Sequence, residues 1–163
     1  MKVLSEMPGT LAVALNGTEH THPSFVQELR TNDLPAAKFV RFAPDGVMVN
    51  KKGNVIHWDA KCAATIERDA YETYLKYGEA GCTVLLFVKH EGHIYWQRIE
   101  NLRFLSSEEI VLGFPPGRRF PVENGWICPR KKPGYREQVS RNMSGTPYQM
   151  IDFSSMKLWT RAH

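Results

Sequence analysis

The chain has 163 residues, a mass of 18.7 kDa and a formal net charge of +4 at pH 7. Its 42% hydrophobic and 23% charged residues are typical of a globular protein, which excludes disordered, collagen-like and coiled-coil chains. This length favours one domain over residues 1–163, with a core at about 22–105 and a basic extension rich in proline and glycine at about 106–163.

The first part of the chain predicts a helix followed by three strands. Leu11–Leu15 is an apolar stretch that predicts an early strand. Ser24, with Gln27 three residues later, is typical of a capping box and predicts a short helix that ends at Asn32–Pro35. Alternating residues separated by turns then predict a three-stranded meander at Lys38–Ala43, Val47–Asn50 and Val55–Lys61.

The next elements place a helix and further strands beside this meander. Ile66, Ala70 and Tyr74 recur at helical spacing, which predicts a helix from Ala64 to Tyr77. The apolar run Cys82–Val88 predicts a strand buried on both faces, and Ile94–Ile99 predicts a returning strand. This order predicts the α/β (α+β) class, with a central mixed sheet flanked by helices.

The third strand of the meander brings an acid and an amine onto one face. Side chains alternate along a strand, so His57, Asp59 and Lys61 share one face while Ile56, Trp58 and Ala60 take the other, apolar face. Asp45 lies in the turn before the second strand, and 13 residues separate it from Asp59. A hairpin that folds back over this distance can bring the two carboxylates together at one end of the sheet.

Two neighbouring carboxylates repel each other unless a cation joins them. A hard divalent ion such as Mg²⁺ takes oxygen ligands, here Asp45, Asp59 and the backbone carbonyl of Ala60. Lys61 would then lie where it could orient or activate an attacking water. These groups are the parts of a phosphodiester hydrolase.

The same residues point to a known group of enzymes. Pro44-Asp45 followed by Asp59-Ala60-Lys61 resembles the signature of the PD-(D/E)xK nuclease superfamily, although this chain has Asp where Glu is commoner. The resemblance covers about residues 24–100. It implies a restriction-endonuclease-like core, an endodeoxyribonuclease activity that needs Mg²⁺ or Mn²⁺, and Glu28 of the first helix as a further acid at the metal site. Small members of this superfamily include junction-resolving nucleases, usually homodimers, and this step is an analogy.

The end of the chain is positively charged and suits a nucleic-acid partner. Of the 21 basic and 17 acidic residues, nine basic and three acidic ones follow Gly117. Basic side chains neutralise phosphates and aromatic rings stack on bases, so DNA is the expected partner, with RNA not excluded. The candidate phosphate-binding residues are Arg118, Arg119, Arg130, Lys131, Lys132, Arg136 and Arg141.

Each of these features also has a plainer explanation. Asp45 before Gly46 suits an ordinary turn, Asp59 and Lys61 suit an exposed charge pair, and Glu28 suits a solvated helix. A nucleic-acid-binding module without cleavage, or an interaction protein with surface acids, therefore remain alternatives. His20 with His22 and His90 with His93 are a weak zinc pattern, because no cysteine accompanies them at motif spacing.

The cysteines and the hydropathy pattern bear on location. The three cysteines are odd in number and far apart, unlike those of a secreted disulfide scaffold. No apolar run reaches the length of a membrane span, and the stretch near the start is too short for a signal peptide. We therefore expect an intracellular, cytoplasmic protein that is neither secreted nor attached to a membrane.

Overall fold

The computed structural model describes residues 11–14, 34–113, 122–127 and 147–160. Its helices are α1 (Pro35–Arg41), α2 (Arg68–Glu79) and α3 (Ser107–Leu112). Its strands are β1 (Leu11–Ala14), β2 (Gly46–Val49), β3 (Val55–Lys61), β4 (Thr65–Glu67), β5 (Thr83–His90), β6 (His93–Arg98), β7 (Val122–Glu123), β8 (Trp126–Ile127), β9 (Tyr148–Met150) and β10 (Lys157–Leu158). Short 3-10 turns lie at Ile99–Asn101 and Phe153–Ser155.

The strands form a large mixed sheet and a smaller antiparallel one. The large sheet has the order β1-β2-β3-β5-β6-β10, and the small sheet has the order β4-β9-β8-β7. β1, β2 and β3 are an antiparallel meander, whereas β3 and β5 are parallel and are connected through α2. The predicted α+β class, with a meander in a central mixed sheet flanked by helices, is confirmed.

The predicted first strand of the meander is wrong. Lys38–Ala43 does not form a strand, because residues 35–41 are the helix α1. Pro35 begins this helix at a position where its missing N–H costs nothing, and Ala36 and Ala37 favour helix. The meander begins instead with β1, which pairs Leu11 with Val49 and confirms the strand predicted near the start of the chain.

The second predicted helix begins later than expected. Residues 65–67 are the strand β4, which pairs with β9 more than 80 residues further along the chain, and α2 begins only at Arg68. Such long-range pairing leaves no periodic signal in the local sequence. The strand predicted at Val55–Lys61 has the bounds of β3, and the strands predicted at Cys82–Val88 and Ile94–Ile99 correspond to β5 and β6.

The large sheet has an apolar cluster on each face. On the face covered by α2, Val84, Leu86 and Val88 of β5 pack against Ile66, Ala70 and Tyr74. On the other face, Met48, Trp58, Leu85 and Phe87 form a second cluster. All five residues from Val84 to Val88 are at most 8% exposed, so β5 is the predicted strand with two buried faces. The strand β3 pairs with β5 along residues 56–61, beside this buried strand.

Candidate active site

The site lies on the face of β3 that α2 covers. In β3, Trp58 points into the second cluster, and the alternation places His57, Asp59 and Lys61 on the opposite face. Asp59 is only 1% exposed, although it is an acid, and Lys61 beside it is half-buried. A buried carboxylate requires compensating groups nearby. This requirement distinguishes Asp59 from the exposed charge pair that the sequence also allowed.

The strand register brings Asp45 to Asp59. β2 and β3 pair Gly46 with Trp58, so the next pair along this antiparallel ladder is Asp45 with Asp59. The backbone N–H of Ala60 donates a hydrogen bond to Asp45 Oδ2 at 3.0 Å. Asp59 is close enough to Asp45 for its negative charge to raise the pKa of the Asp45 carboxyl. The spatial arrangement expected of the hairpin is therefore present.

Opposing effects of the surroundings set the pKa of Asp45. Burial raises the pKa of Asp45, and the neighbouring charge of Asp59 raises it further. The Ala60 hydrogen bond and the Lys61 ammonium act in the opposite direction, but they do not cancel the rise. Asp45 therefore holds a proton more tightly than an ordinary aspartic acid, mainly because burial disfavours its charged form and secondly because the charge of Asp59 is close by.

Lys61 is the cation of this pocket. Its Nζ lies 3.0 Å from Asp59 Oδ2, and the side chains are 29% and 2% exposed. Burial lowers the pKa of Lys61, but the attraction of Asp59, Asp45 and Glu67 outweighs it, so the pKa is raised overall. In the described part of the chain, no donor meets Asp59 Oδ2 with hydrogen-bond geometry. Lys61 thus neutralises Asp59 by proximity and leaves acceptor capacity on this buried oxygen.

Two further residues belong to the pocket and were not predicted. Glu67, at the end of β4, acts electrostatically on Lys61. Tyr74 of α2 is 1% exposed, and burial together with the negative charge of Asp59 raises the pKa of its hydroxyl. The helical spacing of Ile66, Ala70 and Tyr74 predicted only that Tyr74 lies on the apolar side of a helix. The phenol in the apolar stripe was the available signal, because a buried Tyr hydroxyl needs a polar partner.

His57 stands one step along β3 from Asp59. Its ring lies 5.0 Å from the ring of Tyr77, tilted by 57°, and Tyr77 stacks on Phe39 at 5.2 Å. Burial lowers the pKa of His57, so the imidazole is neutral at pH 7. His57 is therefore a neutral ring that packs against Tyr77 beside the site.

Several predicted site residues lie outside the described residues. Glu28 is one of them, and so are His20 and His22 of the weak zinc pattern. The basic residues Arg118, Arg119, Arg130, Lys131, Lys132, Arg136 and Arg141 are also outside. The other histidine pair is described, and there His90 stacks on Phe153 with ring centroids 4.4 Å apart.

The donor set fits a hard divalent cation. Over residues 34–113, 122–127 and 147–160, no group of three or more His, Cys, Asp or Glu side chains could hold a metal ion. Mg²⁺ nevertheless binds proteins through one or two carboxylates while it keeps several waters, and Asp45 and Asp59 are such a pair. Asp59 Oδ2 accepts no hydrogen bond from the described residues, although Lys61 Nζ lies 3.0 Å from it, and the charge of Asp59 contributes to the raised pKa of Asp45, so the two acids place negative charge together here.

The fold and the pocket together define an α+β protein whose mixed sheet brings two acids and one amine to the end of a strand. No described helix is long and apolar enough to cross a membrane. No family model matches the chain, and no curated protein matches it. Among solved structures, the chain is similar to Hjc, a Holliday junction resolvase from the archaeal hyperthermophile Archaeoglobus fulgidus. That similarity has a TM-score of 0.41 and 14% identity, and covers 63% of this chain and 75% of that one.

Proposed function

We propose that this protein is a Mg²⁺-dependent endonuclease that hydrolyses phosphodiester bonds in DNA. The observation that carries the proposal is the meeting of Asp45, Asp59 and Lys61 at the end of β3. A carboxylate pair beside a lysine supplies oxygen ligands and a cationic hydrogen-bond donor at one place. Phosphodiester hydrolysis needs both, since negative charge on the phosphate must be neutralised while water attacks.

Each residue has a role that follows from its surroundings. Asp45, Asp59 and the carbonyl of Ala60 would hold Mg²⁺, which when bound would neutralise negative charge developing on the phosphate. The hydrogen bond from the Ala60 N–H fixes one oxygen of Asp45. Because its pKa is raised, Lys61 stays protonated at neutral pH. It therefore acts as a hydrogen-bond donor that orients the attacking water or the phosphate, and not as a general base.

The rest of the substrate would be held by positive charge. We propose that the basic segment after Gly117 binds the DNA backbone through Arg118, Arg119, Arg130, Lys131, Lys132, Arg136 and Arg141. We also propose that Glu28 adds a carboxylate to the pocket. A homodimer would present two such pockets to the two strands of a branched substrate, as suits a junction-resolving enzyme, and RNA is an alternative substrate.

The direct test is cleavage by the Asp59→Asn variant. Asn has the shape of Asp but not its charge, so we expect wild-type protein to cut supercoiled or branched DNA in Mg²⁺ but not in EDTA. We expect Asp59→Asn to cut at least about 10³-fold more slowly, since a metal contact contributes several kcal/mol and each 1.36 kcal/mol is tenfold in rate. Retained DNA binding by gel shift shows that the variant is folded.

The matched control is Glu79→Gln. Glu79 is an exposed acid at the far end of α2, so this variant has the same formal charge change away from the pocket. Cleavage at the wild-type rate by Asp59→Asn would contradict the proposal. Loss of cleavage in Glu79→Gln as well would show that the effect comes from net charge.

A second candidate is a nucleic-acid-binding module that does not cleave. It is favoured by the absence, in the described residues, of a third side chain able to complete a metal site. Binding with a steep salt dependence, without cleavage of duplex, junction, single-stranded DNA or RNA in Mg²⁺, would establish this candidate.

A further inference from the structure

Three rings form a stack beside the pocket. The ring of His57 lies 5.0 Å from the ring of Tyr77, and the ring of Tyr77 lies 5.2 Å from that of Phe39, with the last two planes only 5° apart. His57 and Asp59 share one face of β3, two residues apart, which is about 7 Å along a strand. The stack therefore connects the neighbour of a pocket carboxylate with α1.

The stack ends in an exposed aromatic ring. Phe39 is 42% exposed although Tyr77 stacks on it, whereas Tyr77 and His57 are half-buried. Packing accounts for the nearby Phe42, which is buried in the core, but not for Phe39. An aromatic ring that is held in one plane and open to solvent can stack on a further flat ring with little loss of conformational entropy.

The face of β3 that carries the pocket is open beyond His57. Val55 lies on this face by alternation, at the start of the strand, and it is 56% exposed. Val40, which follows Phe39 in α1, is 49% exposed. Apolar side chains that are exposed beside polar residues are typical of a surface that a ligand covers.

Two lysines lie at the same end of β3, in the hairpin turn that connects it with β2. Lys51 and Lys52 are both exposed, and among the described residues neither forms an ion pair with an acid. The turn is well defined, because Asn50 Oδ1 accepts hydrogen bonds from the backbone N–H groups of Lys52 at 2.9 Å and Asn54 at 3.0 Å. Two positive charges without acidic partners attract the phosphates of a nucleic acid.

We propose that the exposed ring of Phe39 stacks on an unpaired base of the DNA substrate, while Lys51 and Lys52 bind phosphates of the same strand. This inference rests on the proposed function, because it names the substrate class of that site as DNA with unpaired bases beside the cleavage point. A base inside a duplex is already stacked between its neighbours, whereas an unpaired base has a free face. Stacking on an aromatic ring tolerates any base, so this site selects structure and not sequence.

The test compares two DNA molecules by fluorescence anisotropy in EDTA, one a duplex with a single-stranded branch and one fully paired. Phe39→Ala should bind the branched DNA about 5- to 150-fold more weakly, and the paired duplex within about twofold of wild type. Phe39→Leu keeps an apolar side chain without a ring and should lose as much, whereas Phe39→Trp should bind like wild type. Val40→Ala, an exposed apolar change at the next position of α1, is the control and should match wild type.

The lysines are tested by salt dependence. Changing both Lys51→Gln and Lys52→Gln should reduce the slope of log K against log salt by about 1.4 for a single strand, at about 0.7 for each phosphate contact. A wild-type slope in this double variant would remove the hairpin turn from the site and overturn the proposed path of the strand.

A measurement on the wild-type protein needs no variant. DNA with 5-iodouracil at an unpaired position, irradiated in the complex, should crosslink to the tryptic peptide that contains Phe39, as mass spectrometry would show. The same base at a paired position should not crosslink to it. Crosslinks from the unpaired base that fall only on other peptides would overturn the inference.

The outcomes separate this inference from the proposed function. If wild type cuts DNA and Phe39→Ala binds branched DNA like wild type, only the stacking site is overturned. If Phe39→Ala instead changes the oligomeric state in light scattering, Phe39 belongs to a contact between copies of the chain, which also overturns the inference. If wild type never cuts DNA in Mg²⁺ but loses affinity for branched DNA in Phe39→Ala, the endonuclease falls and the stacking site stands. If wild type binds no DNA, both fall.

Discussion

Changing Asp45 to Asn should make the metal-free protein more stable while it abolishes the activity. Asn keeps an oxygen that accepts the hydrogen bond from the Ala60 N–H, which is 3.0 Å long in the wild type. It removes the negative charge that stands beside Asp59. In a pocket built only for packing, replacing a charged residue that accepts a hydrogen bond usually lowers stability, so a gain would identify Asp45 as a functional residue.

The size of the effect follows from the charges around Asp45. Two unit charges of the same sign about 4 Å apart repel by about 4 kcal/mol near a protein surface. Attraction to Lys61 and contact with solvent offset a large share, because Asp45 is half-buried. We expect a net gain of about 1 kcal/mol in the free energy of unfolding, which raises Tm by about 2–4 °C in a chain of this size.

The pH dependence of stability independently tests whether the Asp45 charge destabilises the folded protein. Because the pKa of Asp45 is raised from 3.8 in the folded state, its contribution to stability is present below pH 3.8 and is lost as the pH rises through the folded pKa. This acid-side decline should be absent in Asp45→Asn. Urea denaturation from pH 3 to pH 8 in EDTA measures both effects, with Glu79→Gln as the charge-matched control. A lower free energy of unfolding than wild type at pH 7.5 in EDTA would refute the reasoning.

Two further predictions concern Lys61. Lys61→Met should lower the free energy of unfolding by about 2–4 kcal/mol, because it leaves Asp59, whose side chain is 2% exposed, without its nearest cation. Cleavage should be lost while the rise of Tm with Mg²⁺ remains, and a stability equal to wild type in urea denaturation would contradict this. The pKa of Lys61 is raised from 10.5, so its contribution is full below pH 10.5 and is lost as the pH rises through the folded pKa. Alkaline urea titrations should show this decline in wild type, and a decline of the same size in Lys61→Met would assign it to other groups.

The sequence identified the elements that local pattern determines. β3 has the predicted bounds at Val55–Lys61, since its alternation is uninterrupted and turn residues precede it. The error at Lys38–Ala43 arose because a short alternating pattern also fits one side of a helix, and Pro35 was interpreted as a terminator although it begins α1. β4 was missed because only its pairing with β9 makes it a strand.

The same distinction holds for the pocket. The sequence could predict that Asp45 and Asp59 meet because one hairpin connects them. The register of β2 and β3 brings them together as expected. Tyr74 and Glu67 could not be found this way, because their places depend on how α2 and β4 lie relative to β3. Sequence spacing predicts neighbours within a hairpin, but it does not predict which residue of a crossing helix faces a given strand position.

The hydrogen bond at Ala60 has a consequence for which sequences can keep this pocket. Asp45 is anchored by a main-chain amide, and the Ala60 side chain itself is exposed. Nearly any amino acid can supply that amide, so substitutions at position 60 leave the hydrogen bond to Asp45 intact. Proline alone lacks the N–H and would release Asp45. In a collection of related chains, the residue between the acid and the lysine should therefore vary freely, with proline as the one exclusion.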